Sequence, residues 1–434
     1  MICRNHFLAL ALAALSCLPW SASAIDATVI FSVTTSLDQI DDNINDGVCH
    51  TTANVCSLRA AVMQSNHTST NGQVIINIPA GTYRLTIAPV AGNDESSGDL
   101  NLTASASTNQ KTLIKGVAAS TTIIDGNQLD GVMSVAQNRI LEIRDATIRN
   151  GFRQGSAPTS GGGVDNRGTL TMTRCVIEAN RANPGTGAGL VNLNTLTLIG
   201  TTVRSNVGTF GAGLLSYGPT IIHDSTFYAN AAATGGAIAN NSTLYAVNTT
   251  ISFNSANLNG GGLFNNGNVI LYNTSVVDND ADHDHDENGG IGGGIYNAAG
   301  ASFGLVNTLV TGNTQRDTFE ADDCFGTITA YGWNLFGNVS DCSIPNGAAW
   351  GFLARSSLGP LQDNGGPTLT HALLPGSRAI DTTDNDLGCI DETGNALSDD
   401  QRGHPRIAGA RCDVGAFEYG SIIDRIFVGA FDPL

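Results

Sequence analysis

The sequence predicts an all-β fold, a right-handed parallel β-helix in which short strands stack into a solenoid. Three observations lead to this prediction. An asparagine recurs every 24 to 26 residues through much of the central region, apolar residues precede it at constant distances, and the composition combines 52 glycines with only 13% charged and 6% aromatic residues. Such a composition suits many tight turns between short strands better than it suits amphipathic helices.

The first 24 residues have the pattern of a secretory signal peptide. Arg4 supplies the positive start, Phe7 to Leu18 forms a short apolar stretch, and Ser21-Ala22-Ser23-Ala24 offers a small-residue cleavage site. The mature chain is expected to begin at Ile25. Because no later apolar run reaches the ~20 residues of a membrane-spanning helix, the sequence predicts a protein that is secreted or held at the outer cell surface, without a transmembrane segment.

The net charge of -18 narrows the classes of partner. Lysine occurs only at Lys111 and Lys115, and an acidic surface repels DNA, RNA and anionic lipid, which are themselves polyanions. We therefore expect no nucleic-acid partner. Acidic oxygens suit Ca2+, which is the one cofactor that the composition favours.

The repeat carries the fold prediction. Its asparagines each follow an apolar residue by three positions: Asn180, Asn206, Asn230, Asn254, Asn279 and Asn313. Further apolar residues stand eight, ten and sixteen positions before most of these asparagines, as Met172, Leu170 and Val164 do before Asn180. Apolar residues that alternate and stay in register over successive units indicate strands facing a shared interior, with coils stacked at about 4.8 Å.

The same register predicts two further columns of residues. The asparagines are expected at a bend, in a left-handed backbone conformation, with their amides bonded from coil to coil, and Gly151 fits this column one unit earlier. Five positions before each asparagine stands a small residue, and the first of these is Cys175. We therefore expect Cys175 to be buried and unpaired in a core position.

Both flanks depart from the repeat. Residues 25–75 contain a helix candidate, Ser57 to Gln64, with Ser57 as N-cap and with Leu58, Ala61 and Val62 on one side. Such a helix would close the open end of a solenoid that spans residues 76–355. Residues 356–420 are rich in proline, glycine and aspartate and are expected to form an irregular cap at the other end. A short tail follows at 421–434.

Seven of the nine cysteines remain once the signal peptide is removed. In an oxidising compartment, proximity along the chain favours three disulfides: Cys49 with Cys56, Cys324 with Cys342, and Cys389 with Cys412. Other pairings stay open at this point, because spacing alone does not determine connectivity.

Two regions resemble modules of secreted bacterial β-helix proteins. The segments Asp46-Gly47-Val48-Cys49 and Cys56-Ser57-Leu58-Arg59-Ala60-Ala61 resemble the CSLREA-type N-terminal module, with alanine where the family has glutamate. The stretch from Leu358 to Ser377, together with Asp400-Gln401-Arg402-Gly403 and Cys412 to Glu418, resembles the end module of choice-of-anchor proteins. These resemblances imply an exported, pectin-lyase-like β-helix and leave its activity open.

Two segments are candidate metal sites. The loop Asp282-His283-Asp284-His285 lengthens the last step of the repeat, and histidines with interleaved carboxylates can hold Zn2+ or Ca2+. A solvated acidic loop is the alternative. The segment Asp41 to Gly47 offers oxygens at alternate positions, as Ca2+ loops do, although its glycine lies one place late for an EF-hand and no glutamate closes it.

No catalytic residue is predicted. A lyase needs carboxylates from neighbouring coils around Ca2+ beside an arginine or lysine base, and a hydrolase needs two facing carboxylates. The outward columns of the regular coils show neither arrangement. Arginines concentrate between Arg139 and Arg204, so a groove for an anionic glycan and a set of solvated side chains are both open. The sequence predicts a non-catalytic adhesion or glycan-interaction protein, with an extracellular polysaccharide lyase or glycoside hydrolase as the alternative.

Overall fold

The computed structural model describes residues 28–421 apart from 71, 91, 93–94, 104–109, 155–160, 184, 285–288, 316–319, 346–349 and 384–387. Over these residues the chain forms an all-β solenoid of three long sheets with parallel pairing between successive coils, so the predicted fold class is confirmed. The expected signal peptide at 1–24 and residues 422–434 of the tail lie outside the described residues.

The three sheets are named here A, B and C. Sheet A consists of Val29–Ser32, Gln73–Asn77, Lys111–Lys115, Ile140–Arg144, Thr169–Thr173, Thr195–Ile199, Thr220–His223, Thr243–Val247, Asn268–Tyr272, Ser302–Val306 and Thr329–Tyr331. Sheet B consists of Gly81–Arg84, Thr122–Asp125, Thr147–Arg149, Val176–Glu178, Thr202–Arg204, Thr226–Tyr228, Thr250–Ser252, Ser275–Val277, Leu309–Thr311, Asn334–Phe336 and Trp350–Phe352. Sheet C consists of Leu100–Leu102, Met133–Val135, Val164–Asn166, Leu190–Asn192, Leu214–Ser216, Ile238–Asn240, Leu263–Asn265, Ile295–Asn297, Cys324–Thr327 and Cys342–Ser343.

Shorter strands occur at the turns and in the C-terminal region. Two-residue strands follow sheet B in several coils: Phe152–Arg153, Arg181–Ala182, Ala231–Ala232, Ser255–Ala256, Asp280–Ala281, Thr314–Gln315 and Glu320–Ala321. A short 3-10 helix, Arg355–Ser357, leads into an antiparallel pair, Leu358–Gln362 with Thr370–Leu373.

One apolar interior runs through the solenoid. Leu170 pairs with Leu196 and Met172 with Leu198 on neighbouring strands of sheet A, and the residues at these inward positions are buried in a single cluster. Side chains alternate along a strand, so each sheet turns one apolar face inward while its backbone groups pair with the coils above and below. The inward positions predicted from the repeat are confirmed.

The asparagine column forms a continuous hydrogen-bonded ladder. The backbone nitrogen and Nδ2 of Asn180 both donate to Oδ1 of Asn206, at 3.0 Å each. The same two bonds recur from each of these asparagines to the next as far as Asn313. The expected left-handed conformation is wrong for these asparagines, however, because the left-handed residue is the one before each, such as Ala179 with φ 53. That residue makes the turn, and the asparagine can then direct its amide inward.

A second asparagine column, which the repeat analysis did not predict, ends the strands of sheet C. Asn166 Nδ2 donates to Asn192 Oδ1 at 2.8 Å, and equivalent bonds join Asn240 to Asn265 and Asn265 to Asn297 at 2.9 Å. These amides satisfy buried polar groups at the corner between sheets C and A, where regular strand pairing stops.

The predicted N-terminal helix is present as α1, Leu58–His67, which ends three residues later than expected. Ser57 Oγ accepts from Ala60 N at 3.0 Å and so acts as the N-cap. Leu58, Ala61 and Val62 lie in the solenoid's apolar cluster, against its first coils. The helix therefore covers the N-terminal opening.

The C-terminal region, residues 355–421, is irregular as expected, but it lies along the side of the solenoid. Thr226 Oγ1 donates to the carbonyl of Leu369 at 2.7 Å, and Ala416 N donates to Ser275 Oγ at 3.0 Å. An apolar cluster joins outward residues of sheet B to this region: Val277, Leu309, Leu335, Leu353, Leu358, Leu373, Ala379, Val414 and Phe417. The region thus covers the outward face of sheet B, which offers small and apolar side chains, and a position over the last coil stays a prediction.

The cysteines form the three pairs that their proximity along the chain predicted. Disulfides join Cys49 to Cys56, Cys324 to Cys342 and Cys389 to Cys412, with Cα atoms 5.2, 5.5 and 6.2 Å apart. Cys175 is buried and free. Within the part of the chain that the structure describes, no helix has the length and apolarity to cross a membrane.

Candidate functional site

An open groove of about 320 Å³ lies on the outward face of sheet C in the early coils. It is lined by Asn101, Leu102, Thr103, Ser134, Val135, Ala136, Arg153, Asp165 and Arg167. We call this the sheet C groove. It is the candidate site because it brings carboxylate, amide, hydroxyl and guanidinium groups from successive coils to one surface.

Strand register places three of the groove's polar residues in one column. Asn101 pairs with Ser134, and Ser134 pairs with Asp165, on neighbouring strands of sheet C. From the next coil onward the same column is apolar: Val191, Leu215, Ala239, Phe264, Tyr296 and Phe325. The polar character of the groove therefore ends at Asp165.

Arg153 joins two aspartates from different coils. Its Nη2 lies 2.7 Å from Asp99 Oδ2, and its Nη1 contacts Asp130 Oδ1. The carboxylate of Asp130 also accepts from Gly131 N at 2.8 Å and from Asp99 N at 3.3 Å. Because these groups are held on several sides, the guanidinium of Arg153 has a fixed position at the floor of the groove.

Asp165 pairs with the second arginine of the groove. Its Oδ2 accepts from Arg167 Nη2 at 3.1 Å and from Nε at 3.3 Å. Burial raises the pKa of Asp165, and the guanidinium groups of Arg167 and Arg153 oppose that change. Burial likewise raises the pKa of Asp130. These two carboxyl groups therefore hold a proton more readily than exposed aspartates do.

Two acceptor atoms beside the groove lack a donor. Asp99 Oδ1 and Asp165 Oδ1 are buried and have no hydrogen-bond partner among the described residues. A buried acceptor without a donor costs free energy, of the order of 1–3 kcal/mol.

The N-terminal helix supports the groove from behind. Arg59 of α1 is fully buried, pairs with Asp38 at 2.7 Å, and donates to the carbonyls of Gly98 at 2.7 Å and Asp99 at 3.3 Å. Asp38 in turn accepts from Thr86 N at 2.7 Å. The backbone that carries the Asp99 side chain is thus fixed by the same module that closes the solenoid.

The charges of the groove and of the buried aspartates behind it nearly balance. Asp99, Asp130 and Asp165 face Arg153 and Arg167, which leaves a small excess of negative charge. Alternating acceptors and donors of this kind are suited to hydroxyl groups, which both donate and accept. Since coils are stacked at about 4.8 Å, a ligand lying along the solenoid axis would meet one polar side chain at each coil.

The predicted Ca2+ segment at Asp41 to Gly47 forms a compact acidic loop. Ligand atoms of Asp41, Asp42 and His50 lie within 4.8 Å of one another. The carboxylate of Asp41 also accepts hydrogen bonds from the backbone, from Asn43 N at 3.0 Å and from His50 N at 3.3 Å. Binding of Ca2+ in this segment stays a prediction.

The predicted metal loop is only partly described. Asp282 is buried with φ 55, and His283 Nδ1 lies 2.9 Å from Asp280 Oδ2, while His285 lies outside the described residues. Within the described part of this loop, no three potential ligand atoms lie within 4.8 Å of one another. A metal held by Asp282, His283, Asp284 and His285 therefore stays a prediction.

The arginine-rich early coils do not form a free basic surface. Carboxylates lie within salt-bridge distance of Arg144, Arg149, Arg153, Arg167, Arg174 and Arg204. Arg139 is fully buried beside the helix and donates to Ser65 Oγ at 3.0 Å. The idea of a basic groove for an anionic glycan is thus not supported by the described residues.

The sheet C groove was not predicted from the sequence, because the recurring columns that predicted the fold belong mainly to sheets A and B. One signal was present: Asp165 comes directly after the inward anchor Val164, at a position where later coils have Val191 and Leu215. A charged residue in an otherwise apolar column marks a change in surface. Asp99 and Asp130 carried no such signal, because they precede their strands in irregular coils.

Among solved structures, the crystal structure of pectate lyase Pel9A is similar to this chain. The two match with a TM-score of 0.44 and 13% sequence identity, over 89% of this chain and 97% of that chain. No protein-family model matches the sequence, and no curated protein matches it.

Proposed function

We propose that the protein is an exported β-helix that binds polysaccharide or a cell-surface glycan through the sheet C groove, without catalysing a reaction. The observation that carries this proposal is the convergence of Asp165, Arg167 and Arg153 on one open surface, where the buried Asp99 and Asp130 hold Arg153 in place. This surface combines donors and acceptors that ion pairs hold in place, and it extends over several coils along the axis.

The charge balance favours a neutral glycan. A polyanion would meet carboxylates as well as guanidinium groups, and it would gain little from arginines that are already paired. Sugar hydroxyls can donate to a carboxylate and accept from a guanidinium at the same time. Secretion to the outside or the outer surface accords with the three disulfides.

Binding is favoured over catalysis because the arginines of the groove are already paired with carboxylates. A lyase needs an arginine or lysine free to take a proton from the substrate, whereas Arg153 and Arg167 already donate to carboxylates. A specific observation keeps hydrolysis as the second candidate: Asp165 lines the groove and burial raises its pKa, and a general acid requires such a shift.

The test of binding uses Arg167→Ala, since the side chain of Arg167 is half exposed and its removal should leave the fold intact. We expect the mature protein to bind at least one neutral polysaccharide on an affinity gel, and Arg167→Ala to weaken that binding about tenfold, equivalent to roughly 1.4 kcal/mol. Arg144→Ala is the control, because Arg144 forms a similar partly exposed ion pair on sheet A.

Two results would contradict the proposal. One is the absence of binding to every neutral polysaccharide in a panel of neutral and acidic polysaccharides, and the other is equal weakening by both arginine variants. The same panel is followed for reducing ends and for unsaturated products, with and without Ca2+. Sustained turnover that disappears in Asp165→Asn would replace binding by catalysis as the function of this groove.

A further inference from the structure

A second cavity, of about 560 Å³, opens at the turns that follow sheet B in later coils. It is lined by Phe253, Asn254, Ser255, Asp278, Asp280, His283, Gly312 and Thr314. We call it the Phe253 cavity. None of these residues belongs to the sheet C groove, which lies in the early coils.

Phe253 is larger than the residues at the equivalent turn position of the other coils. The equivalent turn residues in the other coils are Ala179, Ser205, Ala229, Asp278 and Gly312, and all of them share the left-handed backbone. Phe253 has φ 54 and is 50% exposed. A bulky side chain is disfavoured in this conformation, and an exposed ring gains little from burial. Half of Phe253 stays exposed although its ring lies near that of His371, so burial alone does not account for phenylalanine where alanine serves elsewhere.

The polar side chains around the ring are held in place. Asp280 lies 2.9 Å from His283 Nδ1 and accepts from Thr314 Oγ1 at 3.0 Å. Asp278 accepts from Arg355 Nε at 2.7 Å and from Nη2 at 2.8 Å, and so its charge is compensated. The cavity thus combines one aromatic face with a fixed rim of carboxylate, imidazole and hydroxyl groups.

We propose that the Phe253 cavity is a second glycan-binding site that takes a neutral pyranose ring. The C–H face of the sugar lies on the ring of Phe253, and the sugar hydroxyls bond to Asp280, Ser255 and Thr314. A concave site with one aromatic platform and a few positioned polar groups suits an amphipathic ring of this size. Asp280 disfavours an acidic sugar, since two carboxylates would then face each other.

The decisive variant is Phe253→Ala, because Ala179 and Ala229 occupy the equivalent position with the same backbone conformation. Cellohexaose, mannohexaose and hexagalacturonate are titrated calorimetrically into the mature protein. We expect one of the two neutral hexasaccharides to bind more tightly than hexagalacturonate, and Phe253→Ala to lose at least tenfold in that affinity. The melting temperature of Phe253→Ala should equal or exceed that of the parent protein, because the strained residue is relieved.

Two control variants test whether the loss of binding is specific to the Phe253 cavity. Phe210→Ala removes an exposed phenylalanine that does not line the cavity and should leave hexasaccharide binding unchanged. Arg167→Ala alters only the sheet C groove and should leave the affinity of the Phe253 cavity unchanged, so that the two proposed sites can fail independently. Saturation transfer from aromatic protein protons to the sugar C–H protons should be present in the parent and lost in Phe253→Ala.

The proposal is overturned if neither neutral hexasaccharide binds, or if Phe253→Ala binds as well as the parent protein. A large fall in the melting temperature of Phe253→Ala would also overturn it, since the ring would then serve its contact with His371, whose ring centre is 6.2 Å away. Phe253→Leu covers the case in which the alanine variant does not fold. It keeps apolar volume without the aromatic face, and unchanged affinity in this variant would equally refute the site.

Discussion

At the scale of single residues, the interior of the solenoid explains why one cysteine stays free. Cys175 stands in a column of Ser and Thr, where Thr201 Oγ1 accepts from Cys175 N at 3.5 Å and donates to Met172 O at 3.2 Å. The Sγ of Cys175 faces the carbonyl of Ile143 at 3.4 Å. Burial raises the pKa of Cys175 to about 12, so its thiolate form is suppressed.

Cys175→Ser should change the free energy of unfolding by no more than about 1 kcal/mol. The serine hydroxyl can donate to a carbonyl as Thr201 does in the next coil. Urea unfolding measures the effect. In the native parent protein the thiol should react with a thiol reagent far more slowly than glutathione does, and reaction at the glutathione rate would contradict the buried assignment.

At the scale of elements, the asparagine ladder decides how well neighbouring coils hold together. Asn230 Oδ1 accepts from both Asn206 N and Asn206 Nδ2, at 3.1 and 2.9 Å, and Asn230 Nδ2 donates to Val203 O at 2.9 Å. All of these groups are buried. A buried polar group that loses its partner cannot form a hydrogen bond to water instead, so each step of the ladder depends on the next.

Asn230→Ala should lower the free energy of unfolding by about 2–4 kcal/mol, because it leaves several buried donors and an acceptor unpaired. The matched control is Asn266→Ala, which removes an exposed asparagine bonded to Asn241 at 3.1 Å and should cost less than about 0.5 kcal/mol. Chemical denaturation compares the two variants. Equal losses in the free energy of unfolding would show that a ladder asparagine stabilises the fold no more than an exposed asparagine does.

At the scale of the whole molecule, stability depends on how the C-terminal region packs against sheet B. Gln401 links the two, since its Nε2 donates to Thr226 Oγ1 at 2.8 Å and its Oε1 accepts from Thr250 Oγ1 at 2.6 Å. The region also buries acids. Burial raises the pKa of Glu418 to about 7 and that of Asp413 to about 6, and burial under the region raises the pKa of Asp224 on the solenoid to about 6.

These shifts predict that the C-terminal region is less stable at pH 8 than at pH 5. An acid whose folded pKa lies above its unfolded value stabilises the fold below the unfolded pKa, and that stability is lost as pH rises through the folded pKa. The loss should fall between about pH 4 and pH 7 and amount to at least about 1 kcal/mol. Urea unfolding followed by the fluorescence of Trp333, which packs against this region, tests it. An equal or higher midpoint at pH 8 would contradict the prediction.

The sequence by itself determined which residues of each coil face the interior and stack on one another. A strict repeat forces equivalent residues to stack, so the inward columns, the bonded asparagines, the buried Cys175 and the cap formed by Leu58, Ala61 and Val62 could all be predicted from spacing. The disulfide partners could be predicted as well, from their proximity along the chain. The left-handed turn was displaced by one residue in the prediction, because periodicity locates a bend without saying which residue makes it.

Only the tertiary structure decided where the molecule offers a site. Asp99, Asp130 and Asp165 lie in early coils of unequal length, so their pairing with Arg153 and Arg167 depends on how each irregular loop closes, and the repeat does not encode that. Arg153 reaches Asp99 across 54 positions of chain. The lateral position of the C-terminal region has the same physical reason: long-range packing is set by which surfaces are complementary after folding, and a local sequence pattern carries no information about that pairing.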